Sequence, residues 1–144
     1  MGKKRIVRKQ GSSVNQGLRA RALARAAKKK VDHGSLHIQA TYNNTIVTLA
    51  DKRGNVLMAS SSGSLGFKGA KKSTPFAAAK VGELVAEKAQ QIGMSEVDVV
   101  IRGVGAGRES AMRAFAGKGI AISAIRDQTP VPFNGPRPKK PRRV

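Results

Sequence analysis

The polar and apolar pattern changes period at Leu36. From there Leu36, Ile38 and Ala40 alternate with His37, Gln39 and Thr41, the period of two that marks a half-buried strand. Asn43-Asn44 signals a turn, because asparagine tolerates positive φ. Thr45–Ala50, with Ile46, Val47 and Leu49, predicts a second strand. Asp51-Lys52-Arg53-Gly54-Asn55 predicts another turn and Val56–Ala59 a third strand, so this part of the chain reads as an antiparallel meander. Thr74-Pro75 opens a helix, with a capping hydroxyl followed by proline at the first helical position. Ala77, Val81, Leu84, Val85 and Ile92 share one face of it, and Gly93 ends it. Val97, Val99, Val100 and Ile101 form a β-branched run that predicts a buried strand. Gly103, Gly105 and Gly107 stop that strand. Arg108, Glu109 and Ser110 open a second helix bearing Ala111, Met112 and Phe115, which ends around Gly117–Gly119. Ile120–Asp127 predicts a last strand. The order is β-β-β-α-β-α-β. A meander followed by two right-handed crossovers predicts an α/β fold with a mixed five-stranded sheet and helices against it.

The flanks follow neither period, and their charge explains why. The chain has 144 residues, a length suited to one domain, and a net charge of +20. Residues 1–30 carry 11 Lys and Arg and no acid, residues 128–144 carry 5 and no acid, and residues 31–127 have a net charge of only +4. This divides the chain into a basic N-terminal extension (1–33), a globular α/β domain (34–127) and a basic, proline-rich C-terminal tail (128–144). Residues 1–17, with Gly11, Ser12, Ser13 and Gly17, read as disordered. Leu18–Lys30 has high helix propensity but a face made mostly of alanine. It reads either as a helix induced by RNA or as a solvated basic tail. The prolines after Asp127 predict extended, polyproline-like backbone. Both arms are expected to be disordered in the free protein and to order on a polyanion.

Several classes of activity lack their residues. The absence of cysteine rules out disulfides and thiolate metal sites. No apolar run has membrane-spanning length. The opening Met-Gly-Lys-Lys-Arg is not followed by the apolar segment of a secretion signal. The acid-free N-terminus has the composition of an organelle transit peptide, but the C-terminal arm shares that chemistry and cannot be one. His33 and His37 are expected on a turn and a strand, where their spacing does not converge on a metal. No G-x-S-x-G elbow occurs. Asp51, Asp98, Glu109 and Asp127 are the acids that could suggest a two-metal nuclease, but Asp51 and Asp127, which follow strand ends, stand beside basic or turn residues, and eight acids in the chain leave few spares.

Two stretches carry the candidate chemistry. Strand, glycine loop and helix start, Val97 to Phe115, is an arrangement that offers backbone N–H groups to an anion. Arg102 and Arg108 flank the loop, which points to phosphate. The loop reads G-x-G-x-G, with Arg108 where a dinucleotide fold needs its third glycine, so a nucleotide cofactor is disfavoured. Ser60–Ser73 reads as a long Gly/Ser loop with Lys68, Lys71, Lys72 and Phe67, suited to close approach to a sugar–phosphate backbone. One Tyr, four Phe and no Trp are few for a stacking platform. Phosphate and shape recognition of folded RNA is favoured over base stacking.

From residue 34 onward the chain resembles the bacterial branch of the ribosomal protein S-eleven family. The resemblance rests on His37 through Thr48, on Gly66-Phe67-Lys68-Gly69 with Lys72 through Ala78, and on Gly103 through Ser110. It also rests on Asp127 through Pro132 with Asn134-Gly135 and the terminal Arg142-Arg143-Val144. The family's glycine loop usually reads G-P-G-P-G-R. Val104 and Ala106 replace the prolines here, which implies a less rigid loop, and Phe133 stands where relatives often have His.

The resemblance implies a three-layer α/β/α fold of ribonuclease H type without catalytic acids. It implies a structural constituent of the cytoplasmic small subunit that binds and bridges rRNA helices on the platform. It implies a position near the cleft holding the Shine–Dalgarno duplex, with ribosomal proteins seven, eighteen and twenty-one as expected neighbours; an organellar ribosome is the lesser alternative. The residues expected against rRNA begin, on charge alone, with Arg19, Arg21, Arg25, Lys28, Lys29 and Lys30. In the core they are Asn43, Asn44, Phe67, Lys68, Gly69, Lys71, Lys72, Ser73 and Thr74, then Gly103, Gly105, Gly107, Arg108 and Arg113. In the tail they are Asn134, Gly135, Arg137, Lys139, Lys140, Arg142 and Arg143. Arg108 is expected to hold a phosphate and to matter little for stability. No catalytic residue, metal or cofactor is expected. A free-standing RNA or DNA chaperone and a metal-dependent nuclease are the alternatives. Asn134-Gly135 is in addition a sequence open to isoaspartate formation, because glycine leaves its backbone nitrogen unshielded.

Overall fold

The computed structural model of the chain describes residues 15–24 and 30–143. The expectations placed on residues 1–14, on Arg25, Lys28 and Lys29, and on Val144 lie outside the described residues. The elements are α1 (Gln16–Ala24), β1 (His33–Ala40), β2 (Thr45–Asp51), β3 (Val56–Ser61), a 3₁₀ turn (Gly69–Ser73), α2 (Pro75–Ile92), β4 (Glu96–Arg102), α3 (Gly107–Ala116) and β5 (Ala121–Asp127). The sheet has the order β3-β2-β1-β4-β5. β1 pairs antiparallel with β2, and β2 with β3; β1 pairs parallel with β4, and β4 with β5. The α/β class, the mixed five-stranded sheet and the element order from β1 onward are those the pattern predicts.

Two boundaries move, for local reasons. β1 starts at His33, because His33 and Gly34 pair with Glu96 and Val97 of β4; neither residue supplies the apolar signal that begins at Leu36. This places both histidines on one strand. β3 runs on to Ser61 through pairing with Ile46. The stretch from Ser60 is therefore not one long loop but a compact turn closed by Ser61 and Ser64, whose side chains bond each other's backbone N–H groups at 2.9 and 3.2 Å. Leu65 and Phe67 pin that turn to the core at 1% and 9% exposure.

The layering follows from where the helices pack. α2 and α3 pack against each other and against strands of the sheet, and the strand residues facing them, such as Leu36, Ile38, Val47, Leu49, Val97 and Val99, are buried. Residues of opposite parity, including His37, Gln39, Ile46 and Arg102, are exposed. Among the described residues the fold is thus a sheet with its two long helices on one face. The reason is topological. β3→α2→β4 and β4→α3→β5 cross the sheet in the same direction, and crossovers of one hand in one direction deposit their helices on one side.

The core lies between that face and α2, where each fully buried Leu, Ile or Val contributes about 1.5–3 kcal/mol relative to exposure. α2 starts as read: Thr74 Oγ1 accepts from Ala77 N at 3.3 Å and Pro75 opens the first turn. Gly82 in the middle of α2 lets α3 approach closely, since a Cβ there would stand 3.2 Å from Ala111 Cα and nearer still to its carbonyl oxygen.

α1 corrects the expectation that the N-terminal segment is a free arm up to Lys30. It is folded onto α2, with Ala22 and Leu23 packed partly buried against the core. Asn15 N donates to Leu65 O at 3.2 Å, and Arg19 pairs with Glu87. Lys88, fully buried, donates to Leu23 O at 3.0 Å. That ammonium meets a carbonyl in the last turn of α1, where a cation is favoured by the helix dipole. Burial pushes the Lys88 pKa down. At Glu87, burial raises the pKa, but the Arg19 hydrogen bond and charge, with Lys118, outweigh it and bring it below the usual carboxylate range.

Candidate nucleic-acid interface

β1 and β4 end, β2 starts and β3 ends at one edge of the sheet, and both α2 and α3 begin there. The loops of that edge are tied together. In the β1–β2 turn, Thr41 Oγ1 accepts from Asn44 N at 3.1 Å and donates to Asn44 O at 3.1 Å. Beside it runs the glycine loop. Gly105 N donates to Ala40 O at 3.0 Å, and a Cβ on Gly105 would lie 2.9 Å from the carbonyl carbons of Ala40 and Thr41. Gly103 has φ of 101° and lies as tightly against Ala40. A Cβ on Gly107 would meet the side chain of Thr45 and stand 2.7 Å from Ala78 Cβ. The three glycines therefore allow backbone to touch backbone and helix to touch strand. They fit the loop to the protein itself, beside whatever they offer to an anion.

Arg108 has several partners within the protein. Its guanidinium donates to Gly103 O, to Thr129 Oγ1 at 3.3 Å and to Asp127. Asp127 Oδ1 in turn accepts from Thr129 N at 2.9 Å and from Thr129 Oγ1 at 2.6 Å. The Thr129 hydroxyl, the Arg108 guanidinium and the Thr129 amide hold the Asp127 carboxyl far below the usual carboxylate range. This latch fastens the root of the C-terminal tail to the glycine loop. Arg108, expected to hold a phosphate, is also a residue that positions loop and tail. Asp127 and Thr129 were missed as its partners, although Asp-x-Thr-Pro after a strand is a side-chain-capped turn signal.

The other expected residues divide by exposure. Lys68 and Lys71 are exposed, and Lys72 and Ser73 half-buried, along and beside the 3₁₀ turn that leads into α2. Ser73 Oγ donates to Ala70 O at 3.1 Å and Thr74 Oγ1 to Lys71 O at 2.8 Å, which stiffens the lysine-bearing turn. Gly69 has open space around it. Phe67, expected as a contact, points inward instead. Its ring meets Phe76 edge-on at 6.2 Å and 85°, because an apolar ring buried beneath the turn gains more than one left in water. Arg113 is exposed and pairs with Glu109 at 3.3 Å. Asn43 is exposed and Asn44 half-buried. On α1, Arg21 is exposed while Arg19 is engaged by Glu87; both stand away from the glycine loop, as does exposed Lys30. In the tail Asn134, Gly135, Arg137, Lys139, Lys140, Arg142 and Arg143 are all exposed, and Asn134 has φ of 55°.

Unpartnered polar groups collect at the same edge. Asn44 Oδ1, Thr45 Oγ1, Ser62 Oγ and Ser110 Oγ are buried without a hydrogen-bond partner, and Ala106 leaves α3 without a side-chain cap. A family model described as Ribosomal protein S11 matches residues 34–143. The chain belongs to the ribosomal protein S11 family. The match covers the sheet, both long helices and the tail. Membership carries a structural role in the small ribosomal subunit, with rRNA and ribosomal proteins as the class of partner.

The acids of this S11 family member are apart from one another and engaged. Asp51 accepts from Arg53 N and Asn55 N at 2.8 and 2.9 Å across its turn. Asp98 accepts from Ser123 Oγ at 2.5 Å, which lowers its pKa. Glu109 pairs with Arg113 and Asp127 with Arg108. Among the described residues no three His, Asp or Glu side chains are grouped to hold a metal. His33 lies 3.8 Å from Glu96, and His37 bonds Ser35 at 3.1 Å, each on the outer face of the sheet.

Proposed function

We propose that this chain binds and bridges small-subunit rRNA helices on the platform of the cytoplasmic ribosome. In this reading it helps shape the cleft that holds the Shine–Dalgarno duplex, with ribosomal proteins seven, eighteen and twenty-one as neighbours. The observation that carries the proposal is the convergence at one sheet edge. The lysine-bearing turn, the starts of α2 and α3, the glycine loop and the root of a tail with five cations all meet there. Helix starts and exposed cations are the two means by which proteins hold phosphate without reading sequence. Lys68, Lys71, Lys72, Arg113 and the tail cations supply charge. Asn43, Asn44, Ser73, Thr74, Gly69, Gly103, Gly105, Gly107, Asn134 and Gly135 supply polar or close backbone contact. Arg108 holds the loop and tail in place for them. Arg19, Arg21 and Lys30, and Arg25, Lys28 and Lys29, extend the footprint along the N-terminal segment.

The test is co-sedimentation with small subunits in high salt, with affinity for a platform rRNA fragment as the companion measurement. Retention at high salt together with fragment-specific affinity supports the reading. Loss from subunits in moderate salt, with equal affinity for unrelated RNA and DNA, favours the free-standing chaperone.

A further inference from the structure

Of the chain's five aromatic rings, Phe67 and Phe115 are buried. Tyr42 is the most exposed ring within the folded core, at 77%. It sits at the tip of the β1–β2 turn, on the same edge as the glycine loop. Large exposed apolar side chains on a rigid tip cost little entropy to bind, because the backbone that carries them is already fixed. This tip is fixed twice. Thr41 Oγ1 closes the turn from within, and Gly105 clamps it from outside through Ala40 O.

We propose that Tyr42 is a stacking platform for one unpaired nucleobase of the bound RNA; this rests on the RNA-binding reading above. Three observations favour a base as the occupant. Beside the ring stands the exposed amide of Asn43, which has both donor and acceptor for a base edge. Val104, 59% exposed on the clamping loop, adds apolar surface. The lysine-bearing turn with Lys68, Lys71 and Lys72 and the root of the cationic tail lie at the same edge, and they bring polyanions to it. A base presents one flat face and one polar edge, which is what a single ring with a neighbouring amide accommodates. A few aromatics suffice for this role, so the low aromatic count excludes a groove of stacked bases but not one platform.

The experiment uses the full chain. Tyr42 is its only tyrosine and it has no tryptophan, so tyrosine emission reports this ring alone. Emission is followed while a single-stranded oligoadenylate or a blunt RNA duplex is added, and anisotropy of the labelled RNA follows binding separately. The expected result is that the single strand quenches emission strongly and the duplex does so weakly. Tyr42→Leu then lowers single-strand affinity by roughly ten-fold, within the range for losing one stacked base, while Tyr42→Phe retains it. Circular dichroism checks that both variants are folded. RNA that binds by anisotropy without quenching, or with equal affinity for Tyr42→Leu, overturns the stacking proposal and leaves RNA binding intact. Quenching only when small-subunit proteins are added assigns the ring to a protein partner and overturns it likewise. Absence of any RNA binding at low salt overturns both readings.

Discussion

Replacing Gly105 by alanine tests whether the glycine loop is fitted to the protein. The added Cβ would lie 2.9 Å from the carbonyl carbons of Ala40 and Thr41, and closer still to the Thr41 oxygen. Ordinary contact needs roughly 3.4 Å or more, so the loop and the β1–β2 turn must part by about an ångström. That movement strains packing, at about 1–3 kcal/mol, and weakens the Gly105 N to Ala40 O bond, worth about 1 kcal/mol. The expected loss is about 2–4 kcal/mol, or roughly 10 °C in Tm for a domain of this size. Gly63→Ala is the control, because its Cβ would meet only side-chain atoms at ordinary contact distance, Lys72 Cδ at 3.6 Å and Ser61 Oγ at 3.9 Å. There the smaller entropy of the unfolded alanine chain leaves stability level or slightly higher. Urea unfolding of the three proteins, followed by circular dichroism, gives the comparison. Gly105→Ala with a midpoint equal to that of Gly63→Ala would refute the packing argument, and the glycines would then be there for a ligand alone.

Four further outcomes are expected. Arg108→Met lowers both Tm and RNA affinity, and Asp127→Asn does so more weakly; unchanged Tm in Arg108→Met restores the simple phosphate role. Because the folded pKa of Asp127 is depressed, its latch is fully present above the unfolded aspartate value of about 3.9 and is lost as pH falls below it. Amide exchange at Thr129 therefore accelerates in acid in the native protein and is insensitive there in Asp127→Asn. Lys88 has the same sign of linkage in a different pH range. Its folded pKa is below the unfolded value of about 10.4, so the unfolded chain binds more protons in the alkaline range and stability rises with pH toward that value; urea midpoints at neutral and alkaline pH show this rise shrinking in Lys88→Met. Finally, the salt dependence of RNA affinity should reside in the tail and in the residues before α1. A chain of residues 15–127 is expected to keep the fold, with α1 seated, and to lose most of the slope, since each neutralised phosphate contributes about −0.7 to −0.9. Equal slopes place the electrostatics on the globule.

The sheet was legible because its strands alternate against one buried face. Leu36, Ile38 and Ala40, or Val97 and Val99, state that face without reference to anything distant. α2 was legible from Thr74-Pro75 because a cap is a local device. What depends on contact across the chain was not. The docking of α1 rests on Lys88, some 65 residues from the carbonyl it meets, and nothing in an alanine-rich helix or a lone lysine announces that pairing. Gly82 carries no sign of its role in the sequence, and only the fold shows it as the point where α3 comes near. The glycine loop was read correctly as a loop, but its composition suits an anion and a neighbouring backbone equally, and only the positions of Ala40 and Thr41 distinguish them. Phe67 was placed outside because its neighbours are lysines and glycines, whereas a single apolar residue in such a turn is the natural anchor for it.

β1 lies in the centre of the sheet, yet its two neighbours are made at very different times. β2 follows at once across a four-residue turn, while β4 is complete only when Arg102 has been synthesised. At about 5–20 residues per second, the interval is several seconds. Through it the nascent chain is at most a three-stranded meander with β1 as a bare edge, and Leu36 and Ile38 are uncovered until α2 has been made. Such edges recruit other strands. Truncation before β4 therefore removes one flank of the sheet and turns its central strand into an edge, and a messenger cut short in that region yields a sticky fragment that lacks the cationic tail.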